Sequence, residues 1–87
     1  MGSFRIEITK SANRYIRQID KQFIKPIVEA IRDLGDNPMP PQSKKLKGPE
    51  ASYRLRVGNY RILYEINKKE KCLVVYHIRH RREAYKK

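Results

Sequence analysis

The chain has 87 residues and carries 21 Lys plus Arg against 9 Asp plus Glu, a formal net charge of +12. A chain of that length forms one domain that buries about two-thirds of its unfolded surface, so there is no separate substrate domain and any site lies on a sheet surface or in a loop. Cys72 is the single cysteine, which excludes an intramolecular disulfide and a cysteine metal cluster; with no signal-peptide pattern and no apolar run of membrane-spanning length, a cytoplasmic protein without membrane association is expected.

The charge is uneven. Residues 1–36 hold 7 basic and 5 acidic side chains (net +2), and residues 37–87 hold 14 and 4 (net +10). A one-sided basic field of this kind attracts polyanions, nucleic acid first.

Phe4 to Thr9 alternates apolar and polar residues and predicts a strand. Ser11 is the expected N-cap of a first helix carrying Ala12, Tyr15, Ile16 and Ile19 at helical spacing. Asp20 is placed to cap a second helix with a stripe of Ile19, Phe23, Ile27, Ile31 and Leu34. Pro26 within it predicts a kink or a later start, and Gly35-Asp36-Asn37-Pro38 ends it. Residues 37–49 read as an irregular connection, with Lys44, Lys45 and Lys47 at its end. Tyr53 to Val57 alternates, Gly58-Asn59 is a two-residue hairpin turn, and Tyr60 to Ile66 returns. Cys72 to Ile78 is apolar on both faces and is expected as a central strand covered on both sides. The predicted order is β-α-α-β-β-β, two helices on a mainly antiparallel sheet, an α+β domain.

The hairpin turn fixes a register. With Gly58-Asn59 as the loop, Val57 pairs with Tyr60, Arg56 with Arg61, Leu55 with Ile62, Arg54 with Leu63 and Tyr53 with Tyr64. One face is then apolar, and the other carries Arg54, Arg56, Arg61 and Leu63. Opposed like charges weaken a sheet by tenths of a kcal/mol up to about 1. A sequence optimised for folding alone would place an acid there, so the Arg56–Arg61 pair points to an anionic ligand, for which guanidinium forks suit phosphate oxygens. Arg79, Arg81 and Arg82 add a second basic cluster. His77 continues an apolar strand and is expected to be structural. His80, among arginines, is the candidate for moving a proton. Tyr85 can stack on a base or donate a hydrogen bond. No Gly-rich phosphate loop, paired carboxylates or metal-ligand spacing is present, and only four acids lie beyond residue 36, which argues against a metal-dependent nuclease.

Lys44-Lys45-Leu46-Lys47-Gly48, the run Tyr53-Arg54-Leu55-Arg56-Val57-Gly58-Asn59-Tyr60-Arg61 through Ile66, and His80-Arg81-Arg82-Glu83-Ala84-Tyr85 together resemble the RelE family of toxin–antitoxin toxins. The resemblance spans essentially the whole chain. It implies the RelE-like microbial RNase fold and a ribosome-dependent, metal-independent endoribonuclease that cuts messenger RNA in the A site. In that chemistry a 2′-hydroxyl attacks the adjacent phosphate, leaving a cyclic phosphate and a 5′-hydroxyl, and no cofactor takes part. It further implies a co-expressed antitoxin, which the basic charge predicts to be acidic. By position, Arg54 and Arg56 fall where the family has basic strand residues, often lysines. Arg61 falls on its phosphate-binding arginine, Arg81 on the arginine near the leaving group, and Tyr85 on the tyrosine that stacks on the message. Lys44, Lys45, Lys47, Arg79 and Arg82 are expected to bind RNA around them. Arginine at 54 and 56 cannot give up its proton, so either another residue takes it, His80 first with Lys44, Lys45 and Lys47 behind it, or catalysis is mainly electrostatic, or the protein cleaves poorly. Two other readings stand beside this one: a DNA gyrase inhibitor like the ParE branch of the superfamily, and a basic RNA-binding module without catalysis.

Overall fold

The computed structural model of the chain describes residues 3–46 and 52–80. The first alternating run forms β1 (Arg5–Ile8), followed by α1 (Lys10–Gln18) and α2 (Lys21–Leu34). Four more strands complete the described chain: β2 (Ser43–Lys45), β3 (Ser52–Val57), β4 (Tyr60–Asn67) and β5 (Cys72–His80). They form one five-stranded sheet in the order β1-β5-β4-β3-β2, parallel at β1–β5 and antiparallel elsewhere. The fold is α+β as expected, with one strand more than the predicted order. That strand, β2, is three residues long, follows Pro40 and Pro41, and is too short and polar to show alternation. It exists because the edge of β3 offers pairing partners, Ser43 opposite Leu55 and Lys45 opposite Tyr53.

Local signals are mostly obeyed. Thr9, not Ser11, caps α1: its backbone is extended (φ −66°, ψ 161°) and its Oγ1 accepts from the Ala12 amide at 3.3 Å. The Thr9 amide also donates to the Val75 carbonyl at 3.0 Å, which fixes the extended conformation two residues before the expected cap. Asp20 caps α2, accepting from the Gln22 amide. Pro26 lies in the second turn of α2, where its missing N–H deprives one carbonyl of a partner, and the helix runs through it to Leu34. Gly35 keeps right-handed helical angles (φ −61°, ψ −36°), so its value is space. A Cβ there would lie 3.2 Å from the Phe4 carbonyl oxygen, beside the Phe4 amide's 2.8 Å bond to Gly35. Gly58 has φ +59° while Asn59 does not take a positive φ, the pattern of a type II′ hairpin turn.

The β3–β4 register is the one the turn predicts, from Val57 opposite Tyr60 to Tyr53 opposite Tyr64. Leu55, Tyr60, Ile62, Tyr64, Ile66, Leu73, Val75 and Ile78 pack against Ala12, Ile16, Ile27, Ile31 and Leu34 of the helices. Tyr64 is fully buried and donates from its hydroxyl to the Pro38 carbonyl at 2.7 Å, tying the connection after α2 to the core. Burial pushes its phenol pKa up.

β5 departs from expectation in two ways. It lies between β1 and β4, but the helices cover only one of its faces; Val74, Tyr76 and His77 on the rest of the strand are half-buried. Its alternation is also broken. Tyr64 pairs with Val75 and Leu63 with His77, which leaves Tyr76 as an extra residue, a β-bulge. Beyond the bulge, Ile78 and His80 take the helix-covered side, and His77 and Arg79 take the open side.

Candidate nucleic-acid interface

Cross-strand pairing assembles the open face in two rows. Arg56 of β3 stands opposite Arg61 of β4, which stands opposite Arg79 of β5. One step along the strands, Lys44 of β2, Arg54 of β3, Leu63 of β4 and His77 of β5 form the second row. Neighbouring strands are separated by about 4.8 Å, so each row places its side chains within reach of a single phosphodiester stretch. Lys44, Arg54 and Arg56 also line a shallow cleft of about 510 Å³ with Pro41, Gln42 and Gly58.

The other end of the same face differs. There the row is Glu7, Val74, Glu65 and Ser52. Arg5 is neutralised by Glu7 at 3.2 Å, and Cys72 donates to the same carboxylate at 3.5 Å. Tyr76, the bulge residue, reaches across β4 to Ser52 with a 2.7 Å bond between hydroxyls. That bridge divides the acid-bearing end from the cationic end.

The two histidines lie on opposite sides of the sheet. His80 lies on the helix-covered side: its ring meets Tyr60 edge-on with centroids 5.0 Å apart, and its amide donates to the Tyr15 hydroxyl at 3.1 Å. His77 lies on the open face, where Nη2 of Arg79 is 3.0 Å from its Nε2. Guanidinium only donates, so Nε2 accepts and the imidazole is neutral in this arrangement. Arg79 Nε is buried and has no hydrogen-bond partner.

Of the expected site residues, Arg54, Arg56, Arg61, Lys44 and Arg79 therefore share one surface. Lys45 is exposed but falls opposite Tyr53, in the phase of the covered side. Lys47, Arg81, Arg82 and Tyr85 lie outside the described residues. Among the described residues, no three His, Cys, Asp or Glu side chains converge.

The model of the ParE toxin of type II toxin–antitoxin systems (parDE) matches residues 6–85. The chain belongs to the RelE/ParE toxin family. A toxin named RelE1 from Methanocaldococcus jannaschii is 30% identical over 86 residues, covering 95% of this chain and 96% of that one. The RelE–RelB complex of Pyrococcus horikoshii contains a chain similar in structure with a TM-score of 0.82 and 26% identity, covering 91% of this chain and 96% of that one. The RelBE2 toxin–antitoxin complex of Mycobacterium tuberculosis contains another, at TM-score 0.79 and 26% identity over 91% and 99%. As a RelE/ParE protein, this chain is the toxin of a type II toxin–antitoxin system.

The open-face position of His77 is not the one that alternation along the strand gives. Strict alternation from Leu73 and Val75 puts His77 and Arg79 against the helices and His80 in solvent. The signal for the phase break was Ile78, an apolar residue out of step with Leu73 and Val75, beside an arginine in the core phase.

Proposed function

We propose that this toxin is a metal-independent endoribonuclease that enters the ribosomal A site and cuts the messenger there. The observation that carries the reading is the assembly of Arg56–Arg61–Arg79 beside Lys44–Arg54–His77 on one open sheet surface. In 2′-hydroxyl attack on the adjacent phosphate, negative charge grows on the phosphoryl oxygens. Arg54, Arg56 and Arg61, fixed on paired strands, supply preorganised donors to that charge. Their guanidinium groups stabilise and orient; they do not take the proton. Lys44 and Arg79 extend the field along the RNA backbone, and A-site docking presents the codon as single-stranded substrate.

Neutralising this face is the natural means of control. The similar chain from Pyrococcus horikoshii is seen in a complex with RelB, and that from Mycobacterium tuberculosis in the toxin–antitoxin complex RelBE2. For this chain, with net charge +12, the partner is an acidic antitoxin whose carboxylates cover the two rows or displace the RNA.

The test is incubation of purified toxin with programmed ribosomes and mapping of the message 5′ ends. Cutting confined to the A-site codon is the expected result. The matching family model is described for ParE toxins, which favours gyrase inhibition as the second reading. Blocked supercoiling with uncut message would establish that branch instead.

A further inference from the structure

An RNA-cleaving face needs an acceptor for the 2′-hydroxyl proton, and its arginines cannot be that acceptor. His80 is turned to the covered side against Tyr60. His77 is the histidine on the open face, in the same transverse row as Arg54 and Lys44. Its Nε2 is held by Nη2 of Arg79 at 3.0 Å. That contact and a proton on Nε2 are mutually exclusive, because both a guanidinium and an imidazolium N–H donate. Arg79 is itself incompletely satisfied: its Nε is buried without a partner, an arrangement that an anion's oxygen would relieve.

Resting on the ribonuclease reading above, we propose that His77 is a catalytic residue that takes the 2′-hydroxyl proton, and that Arg79 uncovers it by moving its guanidinium from Nε2 to the scissile phosphate. Phosphate arrival gives Arg79 a charged acceptor in place of a neutral ring nitrogen, a stronger hydrogen bond. The freed Nε2 lone pair then accepts the proton from the 2′-hydroxyl. The O2′ electron pair forms the new bond to phosphorus, and the P–O5′ bond breaks with its pair remaining on the 5′-oxygen, which takes a proton from water. The products are a 2′,3′-cyclic phosphate and a 5′-hydroxyl, and the imidazolium returns its proton to solvent. Substrate and base are thus coupled: the arginine that binds the phosphate is the group that masks the base until the phosphate is present.

The groups that face His77 come from four strands. On β5 they are Arg79 and Tyr76. From β4 come Leu63 directly opposite, with Arg61 and Glu65 diagonal to it, and beyond them lie Arg54 of β3 and Lys44 of β2. The β1 register ends at Ile8 opposite Val75, short of His77.

The experiment compares full-length wild type, His77→Gln and His77→Ala in single-turnover cutting on programmed ribosomes across pH. Retained folding and antitoxin binding are confirmed for each variant. Gln can accept from Arg79 through Oε1 and so preserves any orienting role, but it takes no proton. Both variants are expected to lose about 10²–10⁴ in rate, and both should lose the limb that rises with pH across the imidazole range. Wild-type rate and an intact limb in His77→Gln would overturn the proposal and move the proton to another group, Lys44 of the same row being next. Full activity in His77→Gln with loss in His77→Ala would also overturn it, leaving His77 only a positioning residue for Arg79. A wild-type protein that does not cut removes the ribonuclease reading itself, a failure distinguishable from either of these.

Discussion

The two faces of β4 answer to different demands. Its covered side presents Tyr60, Ile62, Tyr64 and Ile66, all buried, and its open side presents Arg61, Leu63 and Glu65. On the first side every neighbour is a packing partner. On the second, Arg61 stands directly between Arg56 and Arg79, an arrangement that folding alone disfavours. One strand therefore carries a half that packs and a half that gathers cations.

That contrast depends on phase. Inserting one residue between His77 and Ile78 would shift every later residue of β5 by one, driving Arg79 toward the helices and Ile78 out. A buried unpaired arginine costs about 3–5 kcal/mol. That is a large share of the stability of a small domain. Urea denaturation followed by circular dichroism should show the cooperative transition of the insertion variant lost or moved far toward zero denaturant. A wild-type midpoint would mean that the phase beyond the bulge does not separate the faces.

The covered side is sharpened by Tyr64→Phe. It removes the hydroxyl bond to the Pro38 carbonyl and leaves that acceptor unpaired, at a cost of about 1 kcal/mol. In a domain of this size the melting temperature should fall by about 4–8 °C, with RNA cutting unchanged. The same residue gives a pH signature. Its folded-state pKa is raised, so the folded protein holds the phenolic proton more tightly than the unfolded chain does. The associated stability is complete below the ordinary tyrosine pKa and lost as pH rises through the folded value. That alkaline component should be missing in Tyr64→Phe.

The open side is sharpened by Arg56→Glu, which replaces a repulsive cross-strand pair with an attractive one. Denaturant unfolding should show a gain of tenths of a kcal/mol up to about 1, opposite in sign to the effect of most substitutions, while cutting falls. A variant that gains nothing in stability would show that the guanidinium groups splay apart without strain.

The hairpin was legible in sequence down to the residue pair, because a two-residue Gly58-Asn59 turn leaves one register and the alternation agrees with it. From that register came the surface on which Arg54, Arg56 and Arg61 lie. The helices were legible from their stripes, with α1 beginning two residues early because the Thr9 amide is claimed by the Val75 carbonyl. β2 was not legible, since three polar residues carry no period and pair only because β3 has an open edge. The phase of β5 beyond Val75 was not legible, because a bulge is a property of pairing between strands, and a period read along one strand assumes that none occurs.

The proposal that the open cationic surface, and not the covered one, acts on RNA is tested most directly by single-turnover cutting of ribosome-bound message by Arg61→Ala, measured beside the wild type after both are shown to be folded. Loss of one preorganised donor at the phosphoryl centre predicts a fall of about 10²–10³ in rate in a protein that stays folded. A folded Arg61→Ala protein that cuts the A-site codon at the wild-type rate would contradict the account.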